Sequence, residues 1–174
     1  QSIRYVENRN GKILYKNNQK ITQPITSGTA QIITSLLQSV VQEGTAKKVR
    51  SLNRPTAGKT GTTNNYIDAW FMGFTPKLIT GVWVGKDNVE PLGRNETGSR
   101  TAIPIWLDYM KGALINTPIH NFPVSPETVY AKINPQTGSL AKHDDSKGFF
   151  ELFLKDKIPN SQDHHKEVIT DNTF

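Results

Sequence analysis

Ala57-Gly58-Lys59-Thr60-Gly61-Thr62-Thr63, AGKTGTT, is the stretch on which the fold turns. Its Gly-Lys-Thr is how a phosphate-binding P-loop ends, and a P-loop would make the chain a nucleotide-binding α/β protein. That motif needs a glycine five residues before Gly58, a buried strand ahead of it and a helix behind it. Position 53 is asparagine, Arg50–Pro55 is basic, and soon after Thr63 the chain enters the apolar run Asp68–Thr75, DAWFMGFT. All three requirements fail, so AGKTGTT reads as a short strand rich in glycine and threonine.

Working outward, Asp68–Thr75 is almost continuously apolar, the pattern of a strand covered on both faces. Ile79–Gly85, ITGVWVG, comes after Pro76-Lys77, a spacing that makes these two strands an antiparallel hairpin. Upstream, Ser27 is placed to cap a helix over Thr29–Gln42. Its Ile32, Ile33, Leu36, Leu37, Val40 and Val41 cover about half the helix surface at 100° per residue, one broad face to be buried. Gly44 stands where a left-handed C-terminal cap is expected. Lys47–Pro55 reads as a basic loop. Near the start, Asn10-Gly11 between Tyr5-Val6 and Ile13-Leu14-Tyr15 signals a hairpin.

Downstream, a second helix is expected over Thr101–Leu114, with Pro104 in its first turn. Ala102, Ile105, Trp106, Tyr109, Met110 and Ala113 recur at helical spacing as its core face. Pro118, Pro123 and Pro126 punctuate a connection. Val129–Ile133 then alternates as a strand and ends on the turn Asn134-Pro135-Gln136-Thr137-Gly138. From Asp144 onward the sequence is charged and weakly patterned, and part of that tail is expected to be mobile. Helices packed on an antiparallel sheet make an α+β fold.

Composition sets wide bounds. The chain has 174 residues, enough for one domain with a core, and no cysteine, so disulfides and thiol chemistry are excluded. No apolar run is long enough for a transmembrane helix. Gln1 begins a polar, mid-protein texture without a signal peptide, as in a processed or truncated piece. Residues 1–61 carry ten Lys/Arg against two Asp/Glu, whereas the rest carries eleven against thirteen. Such a basic segment suits an anionic partner, but no nucleic-acid module signature and no aromatics interleaved with the basic residues accompany it. No nucleic-acid partner is expected. Solvated loop charge is the plain reading of the excess.

A Lys-Thr-Gly strand at the edge of a sheet can offer an ammonium and two hydroxyls to an anionic group. Lys59, Gly61 and Thr63 alternate to one side of an extended strand, and Thr60 and Thr62 to the other. Local twist at Gly61 would have to bring some of these groups together. Gly61 also leaves room for a substrate backbone to pair with the edge, and the Thr62 N–H can serve a developing oxyanion. The plain alternative is a polar, glycine-rich edge strand with no ligand.

The whole run AGKTGTTNNYIDAWFMGFTP, then GVWVGKD, then Gly98 and AIPIW, closely resembles class A penicillin-binding proteins, the bifunctional enzymes that polymerise and cross-link peptidoglycan. The resemblance spans about Ser27–Leu114 and, weakly, INPQTGSLA within Val129–Ala141. It implies part of a penicillin-binding/β-lactamase-like transpeptidase fold. Residues 1–117 would be the C-terminal portion of the transpeptidase domain, and 118–174 a β-rich extension with a mobile tail. It implies that Lys59 organises protons around a catalytic serine, that the Thr60 and Thr62 hydroxyls hold a carboxylate, and that the Thr62 N–H is half of an oxyanion hole. Substrate contact falls to Thr60, Gly61 and Thr62. The implied reaction is serine acyl transfer from a D-Ala–D-Ala stem peptide to an amine, with β-lactams as acylating inhibitors, no cofactor and no metal. It also implies a place on the extracytoplasmic face of the bacterial membrane.

That family also needs Ser-x-x-Lys and Ser-x-Asn upstream of Lys-Thr-Gly. Ser139-Leu140-Ala141-Lys142 has the first pattern's letters, but lies downstream, after a proline-containing turn and beside Gly138, where a helix is not expected. Ser51-Leu52-Asn53 has the second, only a few residues before Lys59. The chain is therefore expected to lack the nucleophile and to need an N-terminal portion, possibly on a separate chain, as partner. Alone it is expected to be inactive. Three alternatives stand beside this: a self-contained acyl-transferase using Ser139 and Lys142, a non-catalytic wall-binding or scaffolding module, and a metal site from His143, Asp144, Asp145, His164 and His165. The last set reads more simply as solvated polar residues, as does His120.

Overall fold

The computed structural model describes residues 3–17 and 22–160. β1 (Tyr5–Glu7) and β2 (Ile13–Lys16) form the expected hairpin, closed by hydrogen bonds to Asn8 and by Gly11 at positive φ. α1 spans Ser27–Gln42. β3 (Ala57–Thr62), β4 (Ala69–Phe74) and β5 (Ile79–Val84) make an antiparallel sheet in the order β3-β4-β5. α2 (Ile103–Ala113) packs on it, and β6 (Thr128–Ile133) pairs with β7 (Phe149–Leu154) in a separate two-stranded sheet. The architecture is α+β, antiparallel sheet with packed helices.

One face of the three-stranded sheet carries the core. Phe71 of β4 meets Trp106 of α2 edge-to-face, ring centroids 5.1 Å apart. The Trp106 indole N–H donates to the Thr80 carbonyl at 3.0 Å, so this buried ring leaves no polar group unpaired. Val41, Val49, Leu52, Ile103 and Met110 are among the residues that pack around this pair. Among the described residues the opposite face is bare except at one corner, where Phe74 packs on Phe122: Trp70, Met72, Ile79 and Trp83 are all exposed. The apolar continuity of DAWFMGFT thus corresponds to a strand covered on one face, correcting the expectation of two. α1 likewise buries only Gly28 and Val41 fully, and leaves Ile33 and Leu36 half exposed.

Other expectations shift for identifiable reasons. Thr26, not Ser27, caps α1, accepting from the Thr29 N–H at 3.2 Å. Ser27 is engaged instead by Ser125 (2.8 Å) and Glu127 (3.1 Å). Gly44 is not left-handed; a Cβ there would lie 2.9 Å from the Val40 backbone, so closeness rather than φ favours glycine. Lys47–Leu52 is a 3₁₀ helix, not a loop, and buries Val49 and Leu52 between the basic residues. α2 begins after a π-type turn at Gly98–Ala102 and turns Ile103, Trp106, Leu107 and Met110 inward, leaving Ile105, Tyr109 and Ala113 outside. β7, FFELFL, went unread because charged residues flank it. His164 and His165 lie outside the described residues.

Glu127 ties the β6–β7 segment to α1. Its carboxylate accepts from the Gly28 N–H at 2.9 Å and from Ser27 Oγ at the first turn of the helix. The Gly28 amide, then the Thr26 and Ser27 hydroxyls, hold its pKa below the usual glutamate value. A lowered folded value means the clasp contributes fully above the unfolded glutamate value of about 4.3 and is lost as pH falls through the folded one. Glu127→Gln should therefore flatten the acid limb of a stability-versus-pH curve and leave neutral-pH curvature unchanged. A second test concerns the two ring environments: Trp106→Ala should cost about 3–5 kcal/mol in urea unfolding, and Trp70→Ala no more than about 1 kcal/mol.

Candidate functional site

β3 is a terminal strand, and among the described residues no strand pairs its outer edge. Which backbone groups face that edge is set by the ladder. The Thr63 N–H donates to the Asp68 carbonyl at 3.1 Å, continuing the register in which Thr62 opposes Ala69 and Gly61 opposes Trp70. Directly opposed antiparallel pairs alternate between hydrogen-bonded and non-hydrogen-bonded. Gly61 and Lys59 therefore spend their N–H and C=O on β4, while Thr60 and Thr62 point theirs outward. The Lys59 ammonium agrees with this parity, donating to the outward Thr60 carbonyl at 2.9 Å.

The side chains divide as strand geometry requires. Lys59 and Gly61 stand on the bare face, opposite Met72 and Trp70. Thr60 and Thr62 stand on the α2 face. The Thr60 hydroxyl shares a 2.8 Å hydrogen bond with Thr45, and Thr62 Oγ1 accepts from the Gly98 N–H at 3.1 Å. The ammonium and the two hydroxyls thus flank the edge from its two sides, and the ammonium reaches the outward backbone at the Thr60 carbonyl. Lys59 and Thr62 are exposed, and Thr60 and Gly61 are half-buried.

Two features that sequence reading missed hold this edge. Asp68 uses its backbone and both carboxylate oxygens: its N–H donates to Thr63 Oγ1 (2.8 Å), Oδ2 accepts from that hydroxyl (3.2 Å), and Oδ1 accepts from the Trp83 indole (2.8 Å). It fastens the end of β3 to β5. Gly98 lies against the sheet so closely that a Cβ would strike the Trp70 carbonyl and stand 2.8 Å from the Gly61 carbonyl. Nothing in a single sequence links Thr45 to Thr60 or Gly98 to Thr62. For Asp68, the acid opening an apolar strand was the one available signal.

The other candidates lie elsewhere. Ser139 sits in the turn after β6 with its Oγ 2.6 Å from the Thr137 hydroxyl, and the Ser139–Lys142 segment is not helical. Ser51 belongs to the 3₁₀ helix and donates to the Lys48 carbonyl. Among the described residues no cluster of three His, Asp or Glu is placed to hold a metal ion. Asp145 instead accepts from the Lys147 N–H, the main reason its pKa lies below the ordinary aspartate value.

The chain belongs to the penicillin-binding protein transpeptidase domain family, which it matches over residues 3–111. Its relatives include Penicillin-binding protein 1A of Aquifex aeolicus, 39% identical over 91% of this chain, and Penicillin-binding protein 1A of Pseudomonas aeruginosa, 43% identical over 79%. These agree with the class A resemblance. The chain spans only 22% and 17% of those two proteins. A 2.6 Å crystal structure of Penicillin-Binding Protein 1A from Haemophilus influenzae superposes with a TM-score of 0.73 at 29% identity, covering 91% of this chain and 29% of that one. No helix among the described residues is long and apolar enough to cross a membrane.

The clamp is testable with two glycines. Gly98→Ala should cost about 1–3 kcal/mol of stability by forcing the turn off the sheet. Gly112→Ala, in α2 with nothing within 4 Å of an added Cβ, should stabilise by about 0.5–1 kcal/mol in the same denaturation assay.

Proposed function

We propose that this chain forms one wall of the active site of a peptidoglycan D,D-transpeptidase that β-lactams also acylate. The outward N–H of Thr62, flanked by Lys59 and the Thr60 and Thr62 hydroxyls, is the observation that carries the proposal. In the reaction a serine Oγ attacks the carbonyl of the D-Ala–D-Ala bond. The C–O bond forms, the C–N bond breaks, and the terminal D-alanine leaves with a proton on its nitrogen. The amine of a neighbouring stem peptide then attacks the ester, and the serine recovers a proton.

Each β3 residue has a part in this. The Thr62 N–H is held in place by the ladder, so donating to the oxyanion costs little reorganisation. Thr62 Oγ1 already accepts from Gly98, which leaves its own O–H free to donate to the substrate's terminal carboxylate, with Thr60 beside it. Lys59 supplies positive potential and orders protons around the serine. Gly61 keeps the edge open for the substrate backbone.

In this reading the nucleophile comes from an N-terminal portion of the domain, on the same or a separate chain. The bare sheet face and the half-exposed Ile33 and Leu36 support this, because apolar surface of that extent marks a contact. Residues 1–117 are the transpeptidase portion and 118–174 an extension. The enzyme works outside the bacterial cytoplasmic membrane.

A reporter penicillin tests the reading. Covalent label should appear only when the upstream segment is supplied, and on that segment. Lys59→Ala should slow acylation at least about a hundredfold, the scale of a lost acid–base group. Label on Ser139 of the isolated chain, or a wild-type rate in Lys59→Ala, would refute it.

A further inference from the structure

Between α1 and the β6–β7 sheet lies a cleft of about 470 Å³ whose lining is polar yet almost uncharged. Ser35, Gln38 and Gln42 project into it from one side of α1, at spacings that share a helical face. Asn121 and Val124 border it, and Tyr130 of β6 forms part of its wall with the residue more than half exposed. Among the described residues Arg54 is its one charged lining residue, and that guanidinium already donates to the carbonyls of Leu114, Thr117 and Pro118. Among the described residues no carboxylate lines the cleft. Among the described residues, the amides of Gln38, Gln42 and Asn121 and the phenol of Tyr130 make no hydrogen bond within the protein, so their donors and acceptors remain available.

This chemistry selects a ligand class. With no free charge among the described lining residues, neither an anion nor a cation finds a partner there. Primary amides offer a paired donor and acceptor, which match hydroxyl and acetamido groups. An exposed tyrosine offers a rigid apolar face with a polar tip, suited to stacking on the C–H face of a sugar ring. A peptide adding as a strand would need a free backbone edge, and the element that contributes the largest share of the lining, five residues, is helix α1. A second hollow of about 280 Å³ shares Gln31, Thr34 and the Phe122–Val124 segment with the cleft, so recognition extends beyond one ring.

We propose that the cleft between α1 and β6–β7 binds an uncharged, N-acetylated amino-sugar oligosaccharide. In the cell this would be the glycan strand of the polymer whose peptides are cross-linked; only that source rests on the transpeptidase reading.

The probe is tetra-N-acetylchitotetraose, titrated into the full chain and followed by ligand-observed saturation-transfer NMR and by backbone amide shifts. Binding should be saturable, with shifts at Gln38, Gln42 and Tyr130. Tyr130→Ala should weaken it about tenfold, and Gln38→Ala about threefold, a loss the size of one modest hydrogen bond. Cellotetraose, which lacks acetamido groups, should bind more weakly. Tyr130 is exposed, so its truncation leaves the fold intact. Reporter-penicillin labelling with the upstream segment should be unchanged in Tyr130→Ala, which separates failure of this site from failure of the transpeptidase reading. No binding by the wild type, binding unaltered in Tyr130→Ala, or equal affinity for cellotetraose would overturn the proposal.

Discussion

The parity of the β3–β4 ladder is the constraint on which the site depends. A one-residue slip would turn the Thr60 and Thr62 amides into the sheet and bring those of Lys59 and Gly61 to the edge, while swapping every side chain between faces. The Thr63–Asp68 bond fixes the register at the end where the error would matter most. Asp68 serves that purpose with its backbone and both carboxylate oxygens, reaching across to Trp83 on β5. Gly98 adds a second restraint from above, since only a residue without a side chain can approach the Gly61 and Trp70 carbonyls so closely.

Rigidity behind the edge comes from the opposite end of the physical scale. Phe71 and Trp106 are fully buried and packed edge-to-face, and the one polar group of the pair is satisfied through Thr80. They hold β4 and α2 as one body, and β3 inherits its position from β4. The site therefore rests on regular elements rather than loops, which keeps its donors fixed. The extension is coupled to the same body through Glu127 at the start of α1, nearly a hundred residues away in sequence.

Much of this was legible in the residues. The turn dipeptides and alternating runs marked the hairpins, and the failed flanks of AGKTGTT alone excluded a nucleotide fold. The family was readable in the long AGKTGTTNNYIDAWFMGFTP run. What escaped reading was tertiary. Hydropathy could not choose between Ile103 and Ile105 as the inward neighbour of Trp106, because both flanks are apolar and the π-type turn decides the phase. Ser27 looked like a cap until Glu127 and Ser125 claimed its hydroxyl. DAWFMGFT looked covered on both faces because the exposed Trp70 and Met72 are as apolar as the buried Phe71, and hydropathy does not tell an open apolar face from a core.

The most direct measurement of the central claim is a structure of the acyl-enzyme formed with a β-lactam in the presence of the upstream segment. The acyl carbonyl oxygen is expected about 2.7–3.1 Å from the Thr62 backbone nitrogen, with the ligand carboxylate at the Thr60 and Thr62 hydroxyls. An acyl oxygen held by donors away from the β3 edge would contradict it.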